Sequence, residues 1–472
     1  QSVDLMAAFL HGMLTSGSAP WFHLDLKDED INRDDDVREW LQDTSMRMMR
    51  ALNQSNFETE VHEAYVDLVV FGTACMFCEM DKGGLRFSTR HISEFYVQED
   101  QYGMVNTVFR EYKMTAAQAV ERFGLDNVGD FIRRAFEKKP DDDISILHAV
   151  VPRTERDVTK GDKKNMPFMS AYIGMEDKNI ISESGFEELP YVVPRFLKAT
   201  GEVMGRSPAM TALPDVKMLN LMSKTIISAA QKQIDPPLLV PDDGFLLPIR
   251  TNPGGLNFFR SGSRDTITPL QTGANIPIGL NMEEQRRTAI RSAFYVDQIL
   301  FSGQSTMTAT EVMQRQEERM RVIGPVLGRL MSEMLRPLID RIFALMLRAN
   351  MLAPPPEILQ GRDVDIEYVS PLAKAQKSSS VNNTMRALEM LMPLAESLPV
   401  GDHIDPDGLV RHITDALGVP KTTLRSSREI AEMREQRAAA EQEQMQRQQE
   451  QEDVYTAAQA AQAVRMVGGN EQ

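Results

Sequence analysis

Gly201-Glu202-Val203-Met204-Gly205-Arg206-Ser207-Pro208-Ala209-Met210-Thr211-Ala212-Leu213-Pro214-Asp215-Val216-Lys217-Met218-Leu219-Asn220 is the stretch on which the chain changes texture. Ser207 before Pro208 predicts a helix start, with the hydroxyl as cap and proline at the first helical position, where its missing N–H leaves nothing unpaired. Asp215, following Pro214, is expected to cap a second segment that runs to about Gln233. Asp235-Pro236-Pro237 ends it, because the residue before a proline is pushed out of the helical region. From there to about Ala274 the sequence is rich in Pro and Gly, with Leu238-Leu239-Val240 and Leu256-Asn257-Phe258-Phe259 as strand-like runs of a small β excursion. Asn281 followed by Glu284 predicts the start of a further helix, to about Leu300. The layout is helix out, small β lobe, helix back.

Upstream, residues 2 to 15 and 35 to 72 read as helices from apolar residues at three- and four-residue steps. Between Thr73 and Tyr112 the period shortens, and Ala74 to Met80, Leu85 to Thr89, Glu94 to Gln98 and Val105 to Tyr112 read as antiparallel strands. A helical pair covers Thr115 to Phe136, and strands follow near Ile144 to Val151, Phe168 to Ile173 and Tyr191 to Leu197. The first 205 residues therefore read as one α+β domain in a predominantly helical chain.

Downstream, Phe301 to Thr306 is a short polar loop, after which Thr308 and Glu311 form a capping box for the longest helical pattern, reaching about Asn350. Roughly forty residues at 1.5 Å each span about 60 Å. Gly324-Pro325 and Pro337 are expected to kink this helix, since each proline removes a backbone bond. Leu327, Leu330, Met334, Leu338, Ile342 and Leu345 keep one apolar stripe through the interruptions. Ala353-Pro354-Pro355-Pro356 closes it. Val364 to Val369 reads as a strand, then Ser379 to Ser397 and Asp407 to Leu417 as helices. The final segment, about Ser427 to Val467, is a helix polar nearly all round, which has to stand in solvent, fray or pack beside copies of itself.

The 472 residues carry 52 Lys and Arg against 68 Asp and Glu, a formal charge of −16, with a pI near 5.1. That sign disfavours indiscriminate binding to nucleic acid. No run approaches the roughly 18 apolar residues of a bilayer span, and residues 1 to 20 lack the pattern of a secretion signal, so a soluble, intracellular product without a membrane partner is expected. Cys75 and Cys78 are the whole cysteine complement and cannot form a disulfide framework. Thirty methionines suit surfaces that adapt to their neighbours.

Signals for catalysis are at background. No Gly-Lys-Ser/Thr phosphate loop and no Gly-x-Ser-x-Gly elbow occurs. Cys75-x-x-Cys78 lacks a second pair or suitably spaced histidines, and its apolar setting predicts buried strand cysteines rather than a metal or redox site. Asp34-Asp35-Asp36 and Asp141-Asp142-Asp143 could hold Mg²⁺ in a nuclease, but loops and helix starts collect such residues. His403, Asp405, Asp407 and His412 are better explained by a turn and a helix cap. The expectation is no enzyme, no metal and no cofactor. More suggestive are Lys217, Lys224 and Lys232, seven and eight residues apart on one helical face, and Arg287 and Arg291, four apart on the returning helix. Such residues could face phosphates, and an ordinary solvated face accounts for them equally well.

Tyr191-Val192-Val193-Pro194-Arg195-Phe196, Gly201 to Pro208, Ala212 to Lys217 with Leu219-Asn220, and Met307-Thr308-Ala309-Thr310-Glu311-Val312 together resemble the tailed-phage portal proteins, in particular the head-to-tail connector of short-tailed phages. The order of elements is similar from about residue 2 to 430. The resemblance implies a homo-oligomeric ring of twelve at one capsid vertex of the virion, assembled in the host cytoplasm with major capsid and scaffolding proteins. Double-stranded DNA would pass through it, driven by the terminase large subunit, and a tail adaptor would dock afterwards. It further implies a wing over 1–205, a stem helix out over 206–234, a clip over 235–274, a stem helix back over 275–300 and a tunnel loop over 301–307. A long kinked helix over 308–352, a strand and crown helices over 353–427 and a barrel helix over 428–472 complete it.

On that mapping Lys217, Lys224, Lys232, Arg287 and Arg291 are the candidate DNA-facing residues, steadying the duplex without reading bases. Ser302, Gly303, Gln304, Ser305 and Thr306 form the candidate tunnel loop, a valve. Leu238, Leu239, Phe258 and Phe259 are the candidate partner-docking residues of the clip, and Gly324 and Pro325 the helix kink. A capsid scaffolding or other helical assembly protein would share the charge and the polar C-terminal helix, without needing the strand-rich first 205 residues. A Mg²⁺-dependent nuclease using the acidic runs is the third reading.

Overall fold

The computed structural model describes residues 1–240 apart from 18, 19, 27, 29, 30, 32, 33, 82 and 158, then 248, 249, 258, 267–270, 276–300, 309–359, 366–369, 384–391, 405–417, 425 and 429–446 apart from 431 and 443. Over these residues the chain is a mixture of helices and antiparallel sheets. It divides into two compact units, Gln1–Ala19 with Met48–Ala349, and Pro20–Arg47 with Asn350–Gln472.

The chain opens with α1 (Ser2–Leu14), β1 (His23–Leu26), α2 (Asp35–Gln54) and α3 (Phe57–Phe71). Strand β1 is absent from the sequence reading. The single helix expected over 35–72 is two, broken at Ser55 and Asn56. There the Asn56 amide imitates a strand, donating from Nδ2 to the Phe87 carbonyl at 2.8 Å and accepting from the Phe87 N–H at 3.0 Å. Buried backbone groups need partners, and this edge finds them in a side chain that could not serve from within a helix. In the first unit α1 packs along α3, burying Met6, Leu10 and Leu14 with Val61, Tyr65 and Leu68.

Next come β2 (Met76–Asp81), β3 (Gly84–Thr89), β4 (Phe95–Glu99) and β5 (Val105–Thr115). Helices α4 (Ala116–Phe123) and α5 (Asp130–Lys138) follow, then β6 (Asp143–Pro152), β7 (Phe168–Gly174), β8 (Asn179–Phe186) and β9 (Tyr191–Val192). Strands β4 to β8 form a five-stranded meander in chain order, and β3-β2-β9 a separate three-stranded sheet. Cys75, Phe77, Tyr191 and Val193 from the smaller sheet region bury against Phe95, Val108 and Val150 of the larger. Farther along the same meander, Val128 and Ile132 cover Ile144, Ile146 and Ile181.

Two strand readings are corrected. β8 lies outside the expected strands, since its Ser182-Glu183-Ser184 centre is polar; pairing with β7 overrides that weak local preference. The strand expected over 191–197 shortens to two residues, because Pro194 has no N–H for the ladder.

The remaining elements of this unit are α6 (Pro208–Ile234), β10 (Leu238–Leu239), β11 (Thr268–Pro269), α7 (Ile276–Ala293), α8 (Val296–Ile299), α9 (Ala309–Leu330) and α10 (Arg336–Arg348). α-Helical geometry continues through Gly324 and Pro325 to Leu330. Met331–Leu335 then forms a π turn, in which the Arg336 N–H reaches the Met331 carbonyl. Leu327, Leu330, Met334, Leu338 and Ile342 are buried, as the apolar stripe requires. In the second unit β1 pairs antiparallel with β12 (Ile366–Val369), and Trp40 Nε1 donates to the Ala353 carbonyl at 2.9 Å. Asp405 accepts from the Asp407 N–H at 3.0 Å and caps Pro406–Leu417, the role expected of that turn.

Candidate functional site

The base of the α6 and α7 pair is built by the stretch Gly201–Ala212. Ser207 caps α6 by accepting from the Met210 N–H at 2.9 Å, while its hydroxyl donates to the Val70 carbonyl at 2.7 Å. The start of α6 is thereby tied to the end of α3. Gly72 and Gly205 cross at that point: Gly72 has a left-handed φ of 80°, and a Cβ on Gly205 would lie 2.1 Å from the Gly72 carbonyl oxygen. Only glycine permits so close a backbone approach. Gly205 also donates its N–H to Thr73 Oγ1 at 2.7 Å.

Helix α6 runs unbroken through Pro214, so Asp215 is not a cap. It accepts instead from Arg286 Nη1 of α7 at 2.9 Å. The returning helix starts at Ile276, five residues before the expected cap, and Asn281 lies within it, accepting from Gln285 at 3.0 Å. It ends at Ala293, with α8 as a separate short turn. Ser223 bonds to the buried Glu283, and Gly279 lies against Ile226.

Those contacts fix the faces. Asp215, Ser223 and Ile226 look toward α7, and residues two positions away lie about 200° round the helix. Lys217 and Lys224 consequently sit on the far side of α6, sharing it with Leu213 and Leu221. Lys217, Lys224, Lys232, Arg287 and Arg291 are all exposed, and Arg287 lies 3.5 Å from Glu283. The structure does not gather the five into one cluster. Along the 27 residues of α6 only Pro208 and Ala212 are buried. Leu221 is 65 % exposed and Ile278 58 %, with Val216, Met218, Ile227, Leu280 and Met282 also open to solvent. A soluble monomer rarely leaves so many large apolar groups uncovered on two adjoining helices.

Leu238 and Leu239 pair with Pro269 and Thr268, and both leucines and Phe258 are exposed. Phe259 lies outside the described residues, as do Ser302, Gly303, Gln304, Ser305, Thr306 and the expected cap at Thr308.

The strongest polar constellation was not foreseen in the sequence. Arg195, 1 % exposed, donates to Glu333 from its backbone N–H at 3.1 Å, Nε at 2.9 Å and Nη2 at 2.7 Å. It also reaches the carbonyls of Gly103 at 2.9 Å and Val203 at 3.1 Å, and the Glu99 carboxylate, which Lys198 shares. Arg329 adds a contact to Glu333 at 2.7 Å. Burial opposes the Arg195 cation, but its bonds to Glu333 and Glu99 outweigh that and hold its pKa above the ordinary value. A second clamp joins Arg341 and Arg348 of α10 to Glu188, at 2.7 and 2.6 Å. Charged residues beside the apolar stripe, Glu333 and Arg341 next to Met334 and Ile342, were the available sequence signal for both.

The catalytic readings find no support among the described residues. Burial pushes the thiols of Cys75 and Cys78 up to about 12, so neither is a thiolate at neutral pH. Asp34 accepts from the N–H groups of Asp36 and Val37 at 3.1 and 3.2 Å and caps α2. No group of three or more His, Cys, Asp or Glu among the described residues is arranged to hold a metal ion. His148 is buried between Tyr191 and Ser170, bonded to both, and stacked on Tyr172. No described helix is long and apolar enough to cross a membrane.

Comparison with known proteins places this geometry in context. The family model for bacteriophage head to tail connecting protein matches residues 1–424. A probable portal protein of Bordetella phage BPP-1 is 31% identical over 448 residues, covering 93% of this chain and 81% of the relative. The portal protein of Salmonella phage epsilon15 is 32% identical over 437 residues, covering 90% and 78%.

Proposed function

The chain belongs to the bacteriophage head to tail connecting protein family, acting as a phage portal, and from that premise we propose that it closes into a ring of twelve at one capsid vertex, through which double-stranded DNA is packaged and ejected. The observation that carries the ring is the uncovered apolar surface of α6 and α7, Leu221 and Ile278 above all. Symmetry copies of the same chain supply a cover that a single chain lacks. In this reading α6 and α7 are the stem, the segment between them is the clip and α9 with α10 is the long helix of the wing-to-channel connection.

Exposed Leu238, Leu239 and Phe258 suit the clip to docking, first of the terminase large subunit and then of a tail adaptor. The net charge of −16 suits a wall that DNA slides past, since tight phosphate contacts would have to be broken at each step. Lys217, Lys224, Lys232, Arg287 and Arg291 are the exceptions, exposed and able to steady the duplex backbone without reading bases. Residues 302–306 are assigned as the tunnel loop, and the polar segment from 428 as the barrel.

Negative-stain microscopy and sedimentation of the purified chain test the ring: closed rings with a central hole are expected, and a monomer or an open filament would overturn the reading. Replacing all five cations with Ala is expected to leave rings intact and to change DNA retention; unaltered packaging would remove them from the channel wall.

A further inference from the structure

The long helix carries a built-in irregularity that the family reading does not use. Met331–Leu335 is a π turn, one residue longer per turn than the α-helix on either side. Pro337, two residues beyond, has no N–H to give the Glu333 carbonyl, the acceptor it would serve in an α-helix, so the ladder is weakest here in either register. Glu333 lies in the middle of the turn, and its carboxylate is the one that Arg195 and Arg329 hold. Arg195 is in turn fixed by Glu99, Gly103 and Val203, which belong to the β4–β5 hairpin and the segment after β9.

We propose that Met331–Leu335 is a register hinge of the long helix and that Arg195 is the latch which holds it in the π register. Absorbing the extra residue into α-geometry turns α9 by about 100° and shifts it about 1.5 Å along the axis relative to α10. Glu333 then leaves its place against Arg195, so the two registers are separate states rather than points on a continuous bend. α10 stays anchored, because Arg341 and Arg348 bind Glu188 independently of the turn. The movement is therefore delivered to α9 and to whatever α9 carries at its N-terminal end. Gly324 and Pro325, seven and six residues before the turn, move with α9 rather than serve as the pivot.

Hydrogen exchange of the assembled full-length chain, read by mass spectrometry, tests this. Local opening is reported by amides whose exchange rises without a rise elsewhere. Arg195→Met is expected to speed exchange at Leu335 and Arg336 by about a hundredfold or more, the range set by loss of one partner of a buried ion pair. Val105–Thr115 and residues 339–348 are expected to keep wild-type protection. Arg329→Gln alters a partly exposed side chain at the edge of the same cluster, and is expected to give a smaller rise confined to the same amides. Unchanged exchange at the turn in both variants overturns the latch. A rise shared equally by Val105–Thr115 overturns it too, because that would make Arg195 a general stabiliser.

Discussion

Glu333 and Arg195 lie 138 residues apart in sequence and are joined by three hydrogen bonds, one from the backbone amide and two from the guanidinium. Arg195→Met leaves the buried Glu333 with Arg329 as its remaining cation, and breaking a buried pair typically destabilises by about 3–5 kcal/mol. Arg195→Met is expected to lower stability by that amount in chemical denaturation, and Arg195→Met/Glu333→Met by less than Arg195→Met alone. A double variant as damaging as the two single losses added together would show that the residues act independently.

Gly205→Ala places a methyl group 2.1 Å from the Gly72 carbonyl oxygen, between two backbones that cannot both withdraw. A loss of about 3 kcal/mol is expected, at the upper end for overpacking. Gly201→Ala, where nothing lies within 4 Å, is the control, losing only about 1 kcal/mol from its positive φ. Equal melting temperatures for the two variants would remove the crossing as the reason for glycine at 205.

The response to acid has a defined sign. Burial chiefly, with Arg122, Arg110 and Arg90 nearby, lowers the His148 pKa from 6.5 to about 3. Between those values the unfolded chain takes up a proton that the folded chain refuses, so stability falls as pH falls through the window, by up to about 5 kcal/mol. Asp67 acts in the opposite sense: burial raises its pKa from 3.8 to about 6, and acidification relieves the penalty of its buried charge. His148→Gln should flatten the decline between pH 6.5 and 4, measured as unfolding midpoint against pH. Asp67→Asn should steepen it. Parallel curves for wild type and His148→Gln would contradict the assignment.

With both thiols pushed up to about 12 and fully enclosed, Cys75 and Cys78 should react with a thiol reagent only after denaturation. Two equivalents in urea and none in buffer at pH 8 is the expected titration. Rapid reaction of the native chain would mean that the junction of the two sheets opens.

Leu221→Asp introduces charge into the exposed apolar face of α6. The folded single chain should be altered by no more than about 0.5 kcal/mol, the usual range at an exposed site. Assembly should fail, seen as a shift from ring to monomer in sedimentation. Rings that form normally would place this face away from the subunit interface.

Local signals were sufficient wherever a neighbour in sequence does the work. Ser207-Pro208 started α6 and Asp235-Pro236-Pro237 ended it, because capping and proline act within one turn. The period change after Thr73 located the strands up to β5. The resemblance carried by residues 191–220 and 307–312 pointed to that family.

Tertiary structure decided what depends on residues far apart. Asp215 looked like a cap and became the partner of Arg286 when α7 returned alongside α6. Asn56 broke a periodic helix because the distant Phe87 backbone needed its amide. Glu333, beside Met334 of the apolar stripe, carries no signal of its partner in the sequence, and the fold sets Arg195 against it. Hydrophobic period and capping are fixed by the nearest few residues, so they can be read from a string. A buried charge, a backbone crossing and a face left open acquire meaning only from what the rest of the chain brings within a few ångströms.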